Sequence, residues 1–249
     1  MTIAIVQTDI CWADPAVNRK RIEELIMEQS ADLFVLPEMF STGFATQPEG
    51  IAETQGESLA WMQQMAVDKQ AAFAGSIAIQ ENDHYYNRFY FVKPDGEVST
   101  YDKRHLFTYG EEDRYFTAGS ERTIVEYQGM RFLLEVCYDL RFPVWSRNRK
   151  DYDMILYVAN WPTSRMIVWN TLLKARAIEN QCFVAGVNRV GSDPTCEYSG
   201  GSMVIDAYGK VVADCGTDRA CCKTVELDMD RLNAFRKKFP VLNDADMLG

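Results

Sequence analysis

Three residues of different chemical character stand where strand-like runs give way to loops. Cys137 ends the run MRFLLEV, Glu38 follows DLFVL and Pro37, and Lys103 follows the second arm of a hairpin centred on PDG. A nucleophilic cysteine needs a base, usually histidine. The chain has only His84 and His105, spacing pairs neither with a cysteine, and there is no G-x-S-x-G elbow. The base for Cys137 is therefore expected to be a carboxylate. In a dry pocket Glu38 would take the thiol proton, while the Lys103 ammonium would hold an oxyanion and favour the thiolate. Taken singly, each residue has a plainer explanation. A strand-end cysteine is most often a small buried hydrophobe, Glu38 a solvated turn carboxylate, and Lys103 beside Asp102 a surface pair worth ~0–1 kcal/mol. Composition and periodicity do not make the three meet.

The elements that would position them alternate at first between strand and helix. TIAIVQ is a strand; Asp14-Pro15 caps and starts a helix over AVNRKRIEELIMEQ. DLFVL is a core strand, ESLAWMQQMAVDKQ has helical periodicity, and AAFAGSIAI is again a strand. YYNRFYFVKPDGEVSTYDK and ERTIVEYQGMRFLLEV predict hairpins, the second turning at Gln128-Gly129. DMILYVAN is a strand and SRMIVWNTLLKARAIENQ a long helix. CFVAGVN, GSMVIDAYGKVVA and CCKTVELD are strands, and MDRLNAFRKKF closes the chain before a short tail. The class is α/β with mixed sheets. In such folds sites gather beyond the carboxyl ends of strands. No linker or repeat divides the sequence, so residues 1–249 are expected to form one domain.

Composition excludes several roles. A net charge of −10 without a basic run argues against a nucleic-acid partner. No apolar stretch approaches the roughly 20 residues that span a bilayer, so no membrane partner is expected. The N-terminus lacks the pattern of a secretory signal. Seven cysteines at irregular spacing, without a CxxC pair, predict reduced thiols in a cytoplasm rather than a disulfide framework or a zinc site. Adjacent Cys221 and Cys222 should point to opposite faces of a strand. No G-x-G-x-x-G follows a strand, which removes a dinucleotide-binding oxidoreductase. No metal and no cofactor is expected.

LPEMFSTGF around Glu38, YDKRHLF around Lys103 and EVCYDLRFPVWSR around Cys137 resemble, in order and spacing, the three motifs of the nitrilase superfamily of carbon–nitrogen hydrolases. The resemblance extends through AIVQTDI, KARAIENQ, CFVAGVNRVG and GSMVIDAYGKVV. LPEMF, YDKRHLF, CYDLRFPVWSRN and ANWP look most like the omega-amidase branch. Its members remove ammonia from the omega-amide of small 2-oxo dicarboxylic acid monoamides such as 2-oxoglutaramate and 2-oxosuccinamate.

The resemblance implies a Glu-Lys-Cys set at Glu38, Lys103 and Cys137. It adds a second glutamate seven residues before a glycine, which is Glu112 before Gly119, with Glu111 adjacent. It also implies a four-layer α-β-β-α sandwich, commonly paired into a homodimer through helices near the active site. Cys137 would attack the amide carbon and form a thioester, with Lys103 and the Tyr138 backbone N–H on the oxyanion. Arg165 is the expected partner of a substrate carboxylate, and Trp161, Phe44, Phe40 and Tyr138 are candidate pocket walls. Asp139 and Arg141 are expected to hold the elbow by pairing with backbone or each other, and Arg176 and Glu179 to play a structural role on their helix. Two alternatives stay open. One is an amidase, carbamoylase or nitrile hydrolase of the same superfamily with another small substrate. The other is a catalytically silent binding protein on the same fold.

Overall fold

Strand β1 (Thr2–Gln7) sends Ile3 and Ile5 to one face and Ala4 and Val6 to the other, and both faces are buried. That period-two division, repeated along the chain, builds layers on either side of each sheet. The computed structural model describes residues 1–246. Helix α1 (Pro15–Ile26) follows, its first turn capped by Asp14, whose side chain accepts from the Val17 N–H at 3.1 Å. It stops three residues short of the predicted run. The Lys69 ammonium donates to the carbonyls of Ile26, Met27 and Gln29, satisfying acceptors that further helix would have used.

Then come β2 (Leu33–Val35), α2 (Glu57–Lys69), β3 (Ala72–Glu81), β4 (His84–Val92) and β5 (Val98–Asp102). The second half supplies β6 (Ile124–Tyr127), β7 (Met130–Val136), β8 (Met154–Val158), α3 (Met166–Glu179) and β9 (Phe183–Val187). It ends with β10 (Val190–Ser192), β11 (Glu197–Ser199), β12 (Met203–Ile205), β13 (Val211–Asp214), β14 (Cys221–Glu226) and α4 (Met229–Lys238). Both predicted central hairpins form; Gln128 and Gly129 have φ of 47° and 75°, the left-handed pair that a tight hairpin turn requires.

The strands assemble into two six-stranded sheets, ordered β14-β1-β2-β3-β4-β5 and β13-β12-β9-β8-β7-β6. Parallel and antiparallel neighbours occur in both. Ile3, Val35, Ala74 and Phe91 of the first sheet meet Phe132, Leu134, Leu156 and Ala185 of the second in one apolar layer. The outer face of the first sheet packs on Ile22, Ile26, Met62 and Ala66 of α1 and α2. That of the second packs on Trp169, Leu173 and Ala177 of α3. The result is the expected four-layer α-β-β-α sandwich.

Cys221 packs into the inter-sheet layer and Cys222 under the helices, on opposite faces of β14 as predicted. The β10–β11 hairpin was not predicted. Its three-residue arms carry no apolar alternation, and its turn is made by Asp193, whose Oδ1 accepts from the Thr195 and Cys196 amides. The tail after α4 makes a short turn at Val241–Asn243, where Asn243 accepts from Lys150 at 2.6 Å; the last three residues of FPVLNDADMLG lie outside the described residues.

Candidate active site

Glu38 lies just past β2, Lys103 directly after β5 and Cys137 directly after β7, so the two sheets bring them together at one end of the sandwich. Lys103 Nζ is 3.0 Å from Glu38 Oε1 and 2.9 Å from Glu112 Oε2, and all three side chains are fully buried. Glu112 is thus the glutamate that reaches the site. Its neighbour Glu111 is on the surface and pairs with Arg114.

Four further groups fix the carboxylates. Asn87 on β4 donates to Glu38 Oε1 at 2.7 Å and to Glu112 Oε1 at 3.3 Å. The Asn160 amide donates to Glu38 Oε2 at 2.8 Å, and its side chain to the Glu38 carbonyl at 2.6 Å. The Phe107 N–H donates to Glu112 Oε2 at 2.6 Å. Phe44 lies against the cluster, with Lys103 Nζ 5.2 Å from its ring centre. Asn87 escaped the sequence analysis because a polar residue in an alternating strand gives no signal until its partners are located. Asn160 lay in a quoted phrase, ANWP, but its donor role depends on Glu38 arriving from the other sheet.

Cys137 is an elbow residue. Its φ of 48° lies in the left-handed region, where a non-glycine residue costs of order 1–3 kcal/mol. The turn of 3-10 helix that follows, Cys137–Arg141, begins at this bend. Asp139 holds the bend by accepting from the Val136 N–H at 2.9 Å, as a carboxylate three residues into a helix reaches back to the cap amide. Arg176 of α3 secures the far end by donating to the Leu140 carbonyl at 2.6 Å, and it pairs with Glu179. Asp139 therefore has the backbone role predicted for it. Arg141 does not: among the described residues it pairs with neither Asp139 nor backbone, and it stands over the Trp161 ring at 5.3 Å, facing the cavity.

Burial and charge pull the groups of this cluster in opposite directions. Burial alone would push Lys103 down, but Glu112 and then Glu38 outweigh it and hold the ammonium well above the ordinary lysine range. Burial raises Glu112 against the pull of Lys103. Burial, followed by the Glu38 charge, pushes the Cys137 thiol well above its usual value; Lys103 opposes this and does not prevail. That direction favours the protonated sulfur and suits a proton that leaves as the sulfur attacks.

A cavity of about 610 Å³ opens onto Cys137. Phe44, Tyr138, Trp161 and Arg165 line it, together with Phe107 and Arg141. Phe40 does not; it is buried in the layer beneath α2, its ring tilted against that of Trp61 at 5.7 Å between centres. Trp161 Nε1 donates to the Arg165 carbonyl at 2.9 Å, and the Arg165 guanidinium lies 5.2 Å from the Phe107 ring centre. In a chain of net charge −10 the described residues that line this cavity include two arginines and no acid.

The sequence model of the carbon-nitrogen hydrolases matches residues 2–237. The chain belongs to the carbon–nitrogen hydrolase family. Omega-amidase YafV of Escherichia coli is 46% identical over 99% of this chain and 97% of its own length. The 2-oxoglutaramate amidase of Bacillus subtilis is 37% identical, covering 98% of this chain and 96% of its own. A solved structure from Xanthomonas campestris, a superfamily protein with an arsenic adduct in its active site, superposes with a TM-score of 0.97 at 40% identity. It spans all of this chain and 98% of its own. The nitrilase-superfamily fold implied by the sequence motifs is therefore the fold of this hydrolase.

Proposed function

We propose that this hydrolase is an omega-amidase that releases ammonia from small 2-oxo dicarboxylic acid monoamides through a thioester on Cys137. The observation that carries the substrate class is the cavity lining: Arg141 and Arg165, free of carboxylate partners among the described residues, face the same space as the thiol. A guanidinium over an aromatic face is a ready fork for an anionic group. The named relatives support the same substrate class.

The buried cluster supports the following sequence. Cys137 attacks the amide carbon while its proton passes to Glu38. Lys103 and the Tyr138 N–H, in the first turn after the elbow, stabilise the oxyanion. Glu38 returns the proton to the nitrogen, the C–N bond breaks, and ammonia leaves a thioester. Water then gives a proton to Glu38 and attacks the thioester carbon. Collapse expels the sulfur, which takes that proton back, leaving the free acid and the resting thiol. Glu112 and Asn87 keep Lys103 and Glu38 in register throughout.

The proposal extends to a homodimer and to the cytoplasm. Ile167 and Ile178, exposed on one face of α3, supply apolar surface for a second copy. Seven unpaired cysteines suit a reducing compartment.

Ammonia release from 2-oxoglutaramate is the test, with succinamide, a carbamoyl amino acid and a simple nitrile as competitors. The wild type should prefer 2-oxoglutaramate and accumulate an acyl adduct by mass spectrometry; Cys137→Ala should do neither. A neutral amide of equal length should lose about 10–100-fold in kcat/KM, the worth of a charge-assisted hydrogen bond. An active Cys137→Ala protein would remove the thiol mechanism, and equal rates on the neutral amide would remove the carboxylate requirement.

A further inference from the structure

Lys103 and Cys137 arrive from different sheets, and something must fix the distance between them. One buried carboxylate touches the chain around both. Asp139 Oδ2 accepts from the Val136 N–H at 2.9 Å and from the Tyr101 hydroxyl at 2.8 Å. Its Oδ1 accepts from the His105 N–H at 2.9 Å and lies 2.8 Å from His105 Nδ1. Val136 precedes Cys137, while Tyr101 and His105 stand two residues on either side of Lys103. The same Oδ1 already accepts from the His105 amide, and a ring presenting Nδ1–H adds a second donor to it.

The surroundings lock this arrangement. The His105 ring lies flat on Phe142 at 3.8 Å between centres and meets the edge of Trp145. Trp145 Nε1 and the Arg104 N–H both donate to the Tyr101 hydroxyl. The Arg104 guanidinium lies over the Trp145 ring at 5.5 Å.

We propose that Asp139 and His105 form a clamp between the two sheets that sets the distance from Lys103 to Cys137, making His105 a positioning residue for the thiol chemistry. The inference rests on the proposed role of Cys137 and adds a residue that touches neither substrate nor sulfur. A ring that only filled space could be replaced by any apolar group of similar size. A clamp requires a donor at the Nδ1 position, and an asparagine amide can supply one there.

The experiment compares His105→Leu with His105→Asn; His105 is the safer target because its side chain is 22% exposed whereas that of Asp139 is wholly buried. His105→Leu should lower kcat about 10–100-fold with KM within about threefold, the pattern of a misplaced reacting group. Its Cys137 should alkylate with iodoacetamide several-fold more slowly, because the thiolate loses the nearby ammonium. His105→Asn should recover both readouts to within about threefold. Urea unfolding of each variant verifies that the folded protein is being measured. Unchanged kcat and alkylation in His105→Leu, or an asparagine variant as impaired as the leucine one, would overturn the clamp. If the wild type fails to hydrolyse 2-oxoglutaramate, the substrate proposal falls while Cys137 alkylation still decides the clamp.

Discussion

Glu135, two residues before Cys137, is a buried carboxyl that the proposed chemistry does not use. Its Oε2 accepts from the Ser146 hydroxyl at 2.9 Å, and its Oε1 has no partner among the described residues. Burial first, and then Asp139, push it well above the ordinary carboxylate range. The unfolded chain would release this proton near pH 4.3, whereas the folded protein retains it to higher pH. The folded state therefore binds more protons over that window, and stability contributed by the neutral acid is lost as pH rises through it. Glu135→Gln cannot ionise, so its stability relative to wild type should increase from pH 5 to pH 8. Urea midpoints at the two values measure this, and a glutamine variant that loses stability relative to wild type as pH rises would contradict a protonated Glu135. The contrast with Glu38 marks what single residues reveal. Glu38, Lys103 and Cys137 could be singled out because each sits where a strand stops. Nothing local distinguishes Glu135 or Asn87 from an ordinary outward-facing strand residue, since their partners come from elsewhere in the chain.

At the scale of elements, Gly119 is the point where one segment holds another. Its N–H donates to the Lys103 carbonyl at 3.0 Å, and a Cβ built there would lie 2.1 Å from the Asp102 carbonyl oxygen. That atom belongs to the backbone at the end of β5, so it cannot swing aside. Gly119→Ala should cost about 1–3 kcal/mol, as overpacking does, and should also lower kcat because the displaced strand end carries Lys103. Asp14→Ala gives the comparison: losing the α1 cap should cost about 1 kcal/mol while leaving kcat unchanged. Denaturation curves paired with ammonia-release assays separate the two cases, and a fully active Gly119→Ala protein would refute the coupling. Elements whose signals are local were legible in the sequence: the α1 cap, the left-handed Gln128-Gly129 turn, the apolar runs of β7 and β8. The β10–β11 hairpin was not, because side-chain turn bonds rather than apolar alternation define it. Nor was the pairing of β14 with β1, which joins the two ends of the chain and leaves no mark on either strand.

On the scale of the whole molecule, α3 links the site to the outer surface. Its inner face packs Trp169 and Leu173 against β9, where Gly186 leaves room for both. Its outer face exposes Ile167 and Ile178, which lie three turns apart and therefore on one side of the helix. Arg165, the guanidinium expected to meet the substrate carboxylate, sits one residue before the helix begins. If a second copy covers that face, the same contact that closes the apolar stripe also steadies the turn carrying Arg165. Charge introduced into the stripe should therefore separate the copies and loosen the anion site together. Ile167→Glu should sediment at the 28.5 kDa chain mass while the wild type sediments at twice that value. Its KM for 2-oxoglutaramate should rise by about tenfold, the loss of one weakened ionic hydrogen bond, with a much smaller change for a neutral amide. A wild type that sediments as a single chain would exclude the homodimer. A dissociated variant with unchanged KM would instead uncouple the interface from Arg165 and leave the cavity arginines positioned by their own chain alone.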